Sequence, residues 1–256
     1  MSISTTKTDE VTFKIDSSIA YVGLARKKNK NALTVKIITR LTEIAEELSK
    51  NRTVRCVVLH GNLDAFSAGI DLKDPERWNL DKLDLMGIRR LSQLGPTLAR
   101  TWENLPQITI AAIEGLNIGA GIALSLACDF RVQSKDAYLL IPEIQRGVPL
   151  AWQSVPRLIR LVGPSRAKRA LLLGEKLSAS TAYEWGLVDF LVESGDAFRK
   201  AEEIAKKIAA MPPLAVATTK EAINAVSNAL NHVGSFMEVD LSSLAVVSGQ
   251  MNRSIS

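Results

Sequence analysis

Cysteine and histidine are scarce in this 256-residue chain, two of each, and the scarcity removes several kinds of chemistry. Cys56 and Cys128 both sit inside apolar runs, so the chain reads as a reduced, cytoplasmic protein and not as a disulfide-stapled one. Two histidines without a cysteine cluster supply no zinc-type ligand set, and no metal site is expected. Long uncharged runs are missing too. The apolar stretch around Ile118 is closed off by Glu114 and Asp129, short of the roughly 18 residues that a membrane-crossing helix needs. The opening residues, MSISTTKTDEVTF, carry no apolar signal core. Repeats, low-complexity segments and linkers are absent, and the spacing of Gly115, Gly119 and Gly121 is not G-x-G-x-x-G, so a dinucleotide fold gets no support.

What is present is ordinary for a globular α/β chain: 46% apolar residues and 23% charged. The length allows one α/β domain, or a domain with a helical extension. A formal charge of +5 suits an anionic ligand, but so mild an excess spread along the chain reads as solvated surface, and nucleic acid is not indicated.

The most informative stretch is IEGLNIGAGIALSLACDF, Ile113–Phe130. A β-branched run, Ile108–Ile113, reads as a buried strand, and Ile122–Cys128 carries no charge on any face, so it reads as a helix buried all round. The glycines between them let backbone approach a ligand closely. The first N–H groups of the helix have no partner within it and suit a negative oxygen. A packing turn eased by glycine can be read from the same residues.

Taken in order, Val11–Ile15 and Ile19–Leu24 read as paired strands. The basic loop Ala25–Leu33 follows, then an amphipathic helix on Val35, Ile38, Leu41, Ile44, Ala45 and Leu48, capped by Thr34 or Asn31. Arg55–His60 is a strand. Gly61–Leu72 is a turn of small residues able to aim another backbone N–H at a ligand, and Lys73–Leu83 is a polar loop. Leu85–Leu105 is helical, and Phe130–Gln133 and Tyr138–Ile141 are short strands. Glu143, between Ile141 and Ile144, has an apolar setting that would raise its pKa and let it accept and return a proton near neutrality; an exposed loop carboxylate is the other reading. Helices Trp152–Leu161 and Pro164–Leu173 part at Gly163. A helix capped by Ser178 or Ser180 leads to a strand at Val188–Val192, Ala197–Met211 is helical, and Thr218–Val247 reads as a helical pair able to dock on another subunit. His60, Asp71, Asp129 and His232 read as capping, paired or surface groups.

Four motifs in this order, AFSAGIDL (Ala65–Leu72), GLNIGAGIALSLACDFRV, PEIQRGVPL (Pro142–Leu150) and LLLGEKLSASTAYEWGLVDFLV (Leu171–Val192), resemble the enoyl-CoA hydratase/isomerase, or crotonase, family from about Phe13 to Ala225. The resemblance implies an α/β spiral of ββα units over residues 1–195 and a C-terminal helical region, 196–256, that builds trimers, often paired as hexamers. It implies an acyl-CoA thioester substrate, with CoA as part of the substrate and no separate cofactor. It puts an oxyanion hole on the backbone N–H groups of Ala68 and Ala120, and CoA contacts on the loop Arg26–Ala32, Lys28 and Ala32 among them. The remaining substrate contacts fall on Ala65, Phe66, Ser67, Gly69, Ile70, Asp71, Leu72, Gly119 and Ala123. Of the two carboxylates that mark the family's hydratases, Glu143 occupies one position and Ala123 the other. That departure favours a single-glutamate isomerase converting 3-enoyl-CoA to 2-enoyl-CoA. Hydration, decarboxylation and thioester hydrolysis are the alternatives within the family, and a non-catalytic CoA- or RNA-binding homologue is a further one.

Overall fold

The computed structural model describes residues 6–8, 10–249 and 251. In chain order the strands are β1 (Thr6–Thr8), β2 (Val11–Asp16), β3 (Ile19–Leu24), β4 (Cys56–His60), β5 (Ala65–Ser67), β6 (Ile108–Ile113), β7 (Leu116–Ile118), β8 (Phe130–Ser134), β9 (Tyr138–Leu140), β10 (Leu177–Ser178) and β11 (Phe190–Val192). The helices are α1 (Val35–Lys50), α2 (Pro75–Trp78), α3 (Leu85–Glu103), α4 (Ala120–Leu126), α5 (Ser154–Leu172), α6 (Ala179–Glu184), α7 (Ala197–Ala209), α8 (Pro213–Ser227), α9 (Asn231–Gly234) and α10 (Glu238–Val247).

A seven-stranded sheet in the order β1-β2-β3-β4-β6-β8-β11 is parallel from β3 onward. Its central strands are apolar without alternation, and Ile108–Ile113 is buried at every position, as expected where helices cover both faces. One face packs on Ile37, Ile38 and Leu41 of α1 and on Leu98 and Trp102 of α3; the Trp102 indole N–H donates to Leu41 O at 3.1 Å. The other face is closed by α7, whose small Ala197, Ala201 and Ala205 let the helix lie close against Val58, Ile110 and Val132. Helix α1 starts where Thr34 Oγ1 accepts the Ile37 N–H and Asp74 Oδ2 that of Val35.

A second sheet, in the order β10-β9-β7-β5, is built from strands of two or three residues. Each of β4, β6 and β8 in the large sheet is followed by a short strand in the small one and then by helix, which repeats a ββα unit three times. This is the architecture expected from the resemblance.

Several local expectations are corrected. Gly61–Leu72 and Gly115–Gly121 contain β5 and β7 and are not simple turns. Lys73–Leu83 holds α2, started by Asp74 accepting the Glu76 N–H and by Pro75 at the first helical position, and then a 3-10 turn at Leu80–Lys82. The C-terminal pair is three helices, the first beginning at Pro213. Buried Lys220 pins α8 to the core, donating to Gln107 O at 2.8 Å and Asp129 Oδ2 at 2.7 Å. Ser178 and Thr34 cap as expected, and α5 breaks at Gly163. No described helix is long and apolar enough to cross a membrane.

Candidate active site

The C-terminal ends of β5 and β7 lie side by side in the small sheet, so the loops that leave them meet. Beyond β7 the chain turns at Gly119, whose φ of 51° is open to glycine and strained for other residues. The Gly119 N–H donates to Leu140 O at 3.0 Å, and α4 opens with Ala120. Ala123 N–H takes Gly119 O as the first helical bond. The Ala120 N–H, an orphan donor of the first turn, has no acceptor among the described residues.

The loop after β5 runs along the basic segment near Leu33. Leu33 N–H donates to Gly69 O at 2.7 Å and Asp71 N–H to Leu33 O at 3.0 Å. Those two bonds use one edge of the extended chain, so the Ile70 N–H faces the opposite edge and has no acceptor among the described residues. A Cβ added to Gly69 would stand 3.4 Å from the Ala120 nitrogen, which places the two loops in contact. The expectation for Ala68 is corrected here: its N–H donates to Lys30 O at 2.8 Å and is not free for a ligand. The unpartnered donors are those of Ala120 and Ile70.

Glu143 arrives from the small sheet's β9 through Ile141 and Pro142. Its carbonyl accepts the Arg146 and Val148 N–H groups, which tightens the following 3-10 turn, Ile144–Arg146. Its carboxyl lies against the Cα of Gly119, so close that an added Cβ there would overlap Oε1. The second oxygen, Oε2, is buried with no hydrogen-bond partner. Desolvation therefore raises the pKa from 4.5 to about 7, opposed in part by the Arg146 charge. Ile141 is buried as expected, whereas Ile144 is 47% exposed; the apolar setting comes from the cavity wall. Gly119→Ala should displace this carboxyl as well as strain the turn. Turnover should fall by at least about tenfold with a smaller loss of CoA-ester affinity, the expected result of moving a reacting group by about 1 Å; unchanged turnover in a folded variant would remove this contact from the site.

These groups share a cavity of about 130 Å³, lined among others by Ala68, Gly69, Ile70, Leu72, Gly119, Ala120, Ala123 and Glu143. Among its described lining residues Glu143 is the only carboxylate, and Ala123 presents a methyl group. Other expected contacts stand behind the wall. Ala65, Phe66 and Ser67 are buried in β5, and Ser67 Oγ donates to Asn31 O and accepts the Gly69 N–H. Asp71 pairs with Arg26, as its reading as a paired group anticipates. Ala32 O accepts from Arg26, and Lys28 is exposed on the turn Lys27–Asn29, outside the cavity. Lining residues that the sequence reading missed are Arg77, Trp78, Ser92, Arg146, Trp152 and Ser242; those from α2, α3 and α10 carry no local signal, because folding alone brings them here.

The remaining candidates are structural. Burial pushes the thiols of Cys56 and Cys128 up to about 12, so neither is a nucleophile at neutral pH. His60 packs edge-on against Phe198 at 4.9 Å between centroids, and Asp129 holds Thr109 and Lys220. The His232 side chain lies outside the described residues. No group of three or more His, Cys, Asp or Glu side chains gathers among those described.

A sequence model described as enoyl-CoA hydratase/isomerase matches residues 14–245. The Bacillus subtilis (strain 168) protein YngF, named provisionally for the same two reactions, is 35% identical over 218 residues, covering 84% of this chain and 82% of YngF. The short-chain-enoyl-CoA hydratase of Clostridium acetobutylicum is 31% identical, with 84% and 81% covered. Among solved structures, an enoyl-CoA hydratase from Bacillus anthracis superposes with a TM-score of 0.78 at 31% identity, covering 90% of this chain and 91% of that one. The chain belongs to the enoyl-CoA hydratase/isomerase family. It is an enzyme of that family, with Glu143 at the centre of its candidate site.

Proposed function

We propose that the protein acts on acyl-CoA thioesters and isomerises a 3-enoyl-CoA to the conjugated 2-enoyl-CoA, with Glu143 as the sole acid and base. The observation that carries this reading is the single carboxylate of the cavity. Adding water across a 2-enoyl thioester requires a water to be held and polarised while a proton reaches the α-carbon, work that two carboxylates share in the hydratases this chain resembles. Moving a proton from C2 to C4 needs one group that can take it and give it back. A carboxyl titrating at about 7 is present in both forms near neutrality, which suits it to both halves of the transfer.

In this scheme the thioester oxygen sits between the Ala120 and Ile70 N–H groups. As Glu143 removes the C2 proton, negative charge grows on that oxygen and spreads through a dienolate. Donors already in place stabilise the charge more than they stabilise the ground state. Return of the proton to C4 shifts the double bond from C3–C4 to C2–C3 with no other reactant. The basic loop containing Lys28 meets the CoA phosphates at the rim, and no cofactor is required besides the CoA of the substrate.

Purified protein should consume a 3-enoyl-CoA and form the conjugated isomer, with kcat/KM rising as pH increases through about 7 because the free enzyme must start with Glu143 deprotonated. A flat pH profile between 5.5 and 8.5 would exclude Glu143 as the base. Hydration is the second reading, favoured by the name of the Clostridium relative; consumption of 2-enoyl-CoA with no turnover of the 3-enoyl ester would establish it in place of isomerisation.

Association through the C-terminal helices is part of the proposal. Leu214, Val226, Leu230 and Val233 on α8, α9 and their connection are each more than 70% exposed, a concentration of apolar surface that water disfavours. Light scattering should give three or six times the chain mass, and Val226→Asp combined with Leu230→Asp should reduce it to one; a monomeric unmodified protein would refute the assembly. A cytoplasmic site of action belongs to the same reading and rests on the two free, buried cysteines.

A further inference from the structure

Two arginines reach into the cavity that holds Glu143, Arg77 from α2 and Arg146 from the turn that follows Glu143. The Arg77 guanidinium stacks 5.2 Å from the Trp78 ring centroid and donates through Nη1 to Leu91 O at 3.3 Å, while its Nε is buried with no acceptor. Nη1 of Arg146 is buried and equally unsatisfied. Neither side chain forms an ion pair with a described carboxylate. Asp74, whose charge Arg77 senses, commits its oxygens to the Val35 and Glu76 N–H groups. Ser242 Oγ, brought in by α10, is a further buried atom without a partner in the same cavity.

Buried polar groups are normally satisfied, and a buried cation lacking an acceptor is the costlier case. Each half-buried arginine keeps one buried guanidinium nitrogen without an acceptor, and both line the cavity of the residue that handles the reacting carbons, so an anion from outside the chain would satisfy them. The phosphates of CoA have another candidate partner in the exposed basic loop Lys27–Lys30, outside the cavity. The acyl group itself enters the cavity.

We infer that the acyl group of the substrate ends in a carboxylate, received by Arg77 and Arg146, so that the enzyme takes the mono-CoA thioester of a short unsaturated diacid. This rests on the acyl-CoA reading above. A planar guanidinium fork accepts a carboxylate through two parallel N–H donors, and Arg146 lies one 3-10 turn from Glu143, which keeps the distal carboxylate within a few carbons of C2.

Saturated thioesters bind without reacting and so test this apart from turnover. Calorimetry should compare succinyl-, glutaryl- and adipyl-CoA with butanoyl-, pentanoyl- and hexanoyl-CoA, each pair differing only in carboxylate against methyl. One diacid ester should bind about 10- to 100-fold tighter than its apolar match, the range of a charge-assisted hydrogen bond. Arg146→Met should abolish that preference and leave the affinity for free CoA unchanged. Arg77→Met should reduce it as well, but it also removes the bond to Leu91 O, so Arg146→Met is the cleaner variant. Equal or tighter binding of every apolar ester would overturn the inference while leaving the acyl-CoA reading intact. Variants that weaken CoA and both ester series alike would overturn it by assigning the arginines to the phosphates. Failure of CoA and all six esters to bind would overturn the acyl-CoA reading itself.

Discussion

Glu143→Gln should lower turnover of a 3-enoyl-CoA by about 10²–10⁴-fold with little change in CoA-ester affinity, since the amide keeps the shape and removes the base. The same substitution should stabilise the fold, in a way that depends on pH. The folded pKa is raised from 4.5 to about 7, so the native state holds a proton that the unfolded chain releases between those values. Stability contributed by this group is present below 4.5 and is lost as pH rises through about 7. The full shift corresponds to about 3 kcal/mol, reduced where the cavity mouth admits water. Thermal unfolding should therefore show the Gln variant more stable than the parent at pH 8, with the difference shrinking as pH falls and vanishing below about 4. A variant that keeps most of its activity would eliminate the single-acid mechanism, and a stability difference independent of pH would mean that the carboxyl is not desolvated.

Ala120→Pro should cost about 10²–10³ in rate while leaving the fold in place. Ala120 is the first residue of α4, where proline suits the helical φ and deletes a donor that no backbone acceptor uses. Loss of one preorganised donor to a developing oxyanion is expected to have an effect of that size. Ala120→Gly retains the N–H and should stay within a few-fold of the parent. Paired thermal unfolding and turnover separate the causes: equal rates in the proline and glycine variants, both folded, would take Ala120 out of the mechanism. Activity and stability falling together in the proline variant alone would instead mean that the ring disrupts α4 and that the N–H is not the cause.

Much of this molecule could be read from its residues because the controlling physics is local. Helix α1 is legible from apolar spacing and the Thr34 cap, β6 from an unbroken β-branched run, α4 from an uncharged segment after glycines. Glu143 and Ala120 are legible because their motifs keep chemical groups at short sequence distances. Strands β5 and β7 were not, since three residues are too few for a period to show, and they exist because neighbours from other units hydrogen-bond to them.

The choice of second donor is the sharpest division between the two levels. AFSAGIDL marks a loop that brings backbone N–H groups to a ligand, yet which N–H is free depends on the edge Leu33 and Lys30 occupy, and that pairing joins segments more than thirty residues apart. The carbonyl of Lys30 takes the Ala68 donor and leaves that of Ile70. Composition and motif thus determined the family, the single carboxylate and the apolar helix that presents Ala120. Only the tertiary structure decided which donor faces the cavity, that Ile144 leaves Glu143 to be desolvated by the cavity wall, and that Arg77 lines the same cavity, because desolvation and hydrogen-bond competition depend on neighbours that chain order does not specify.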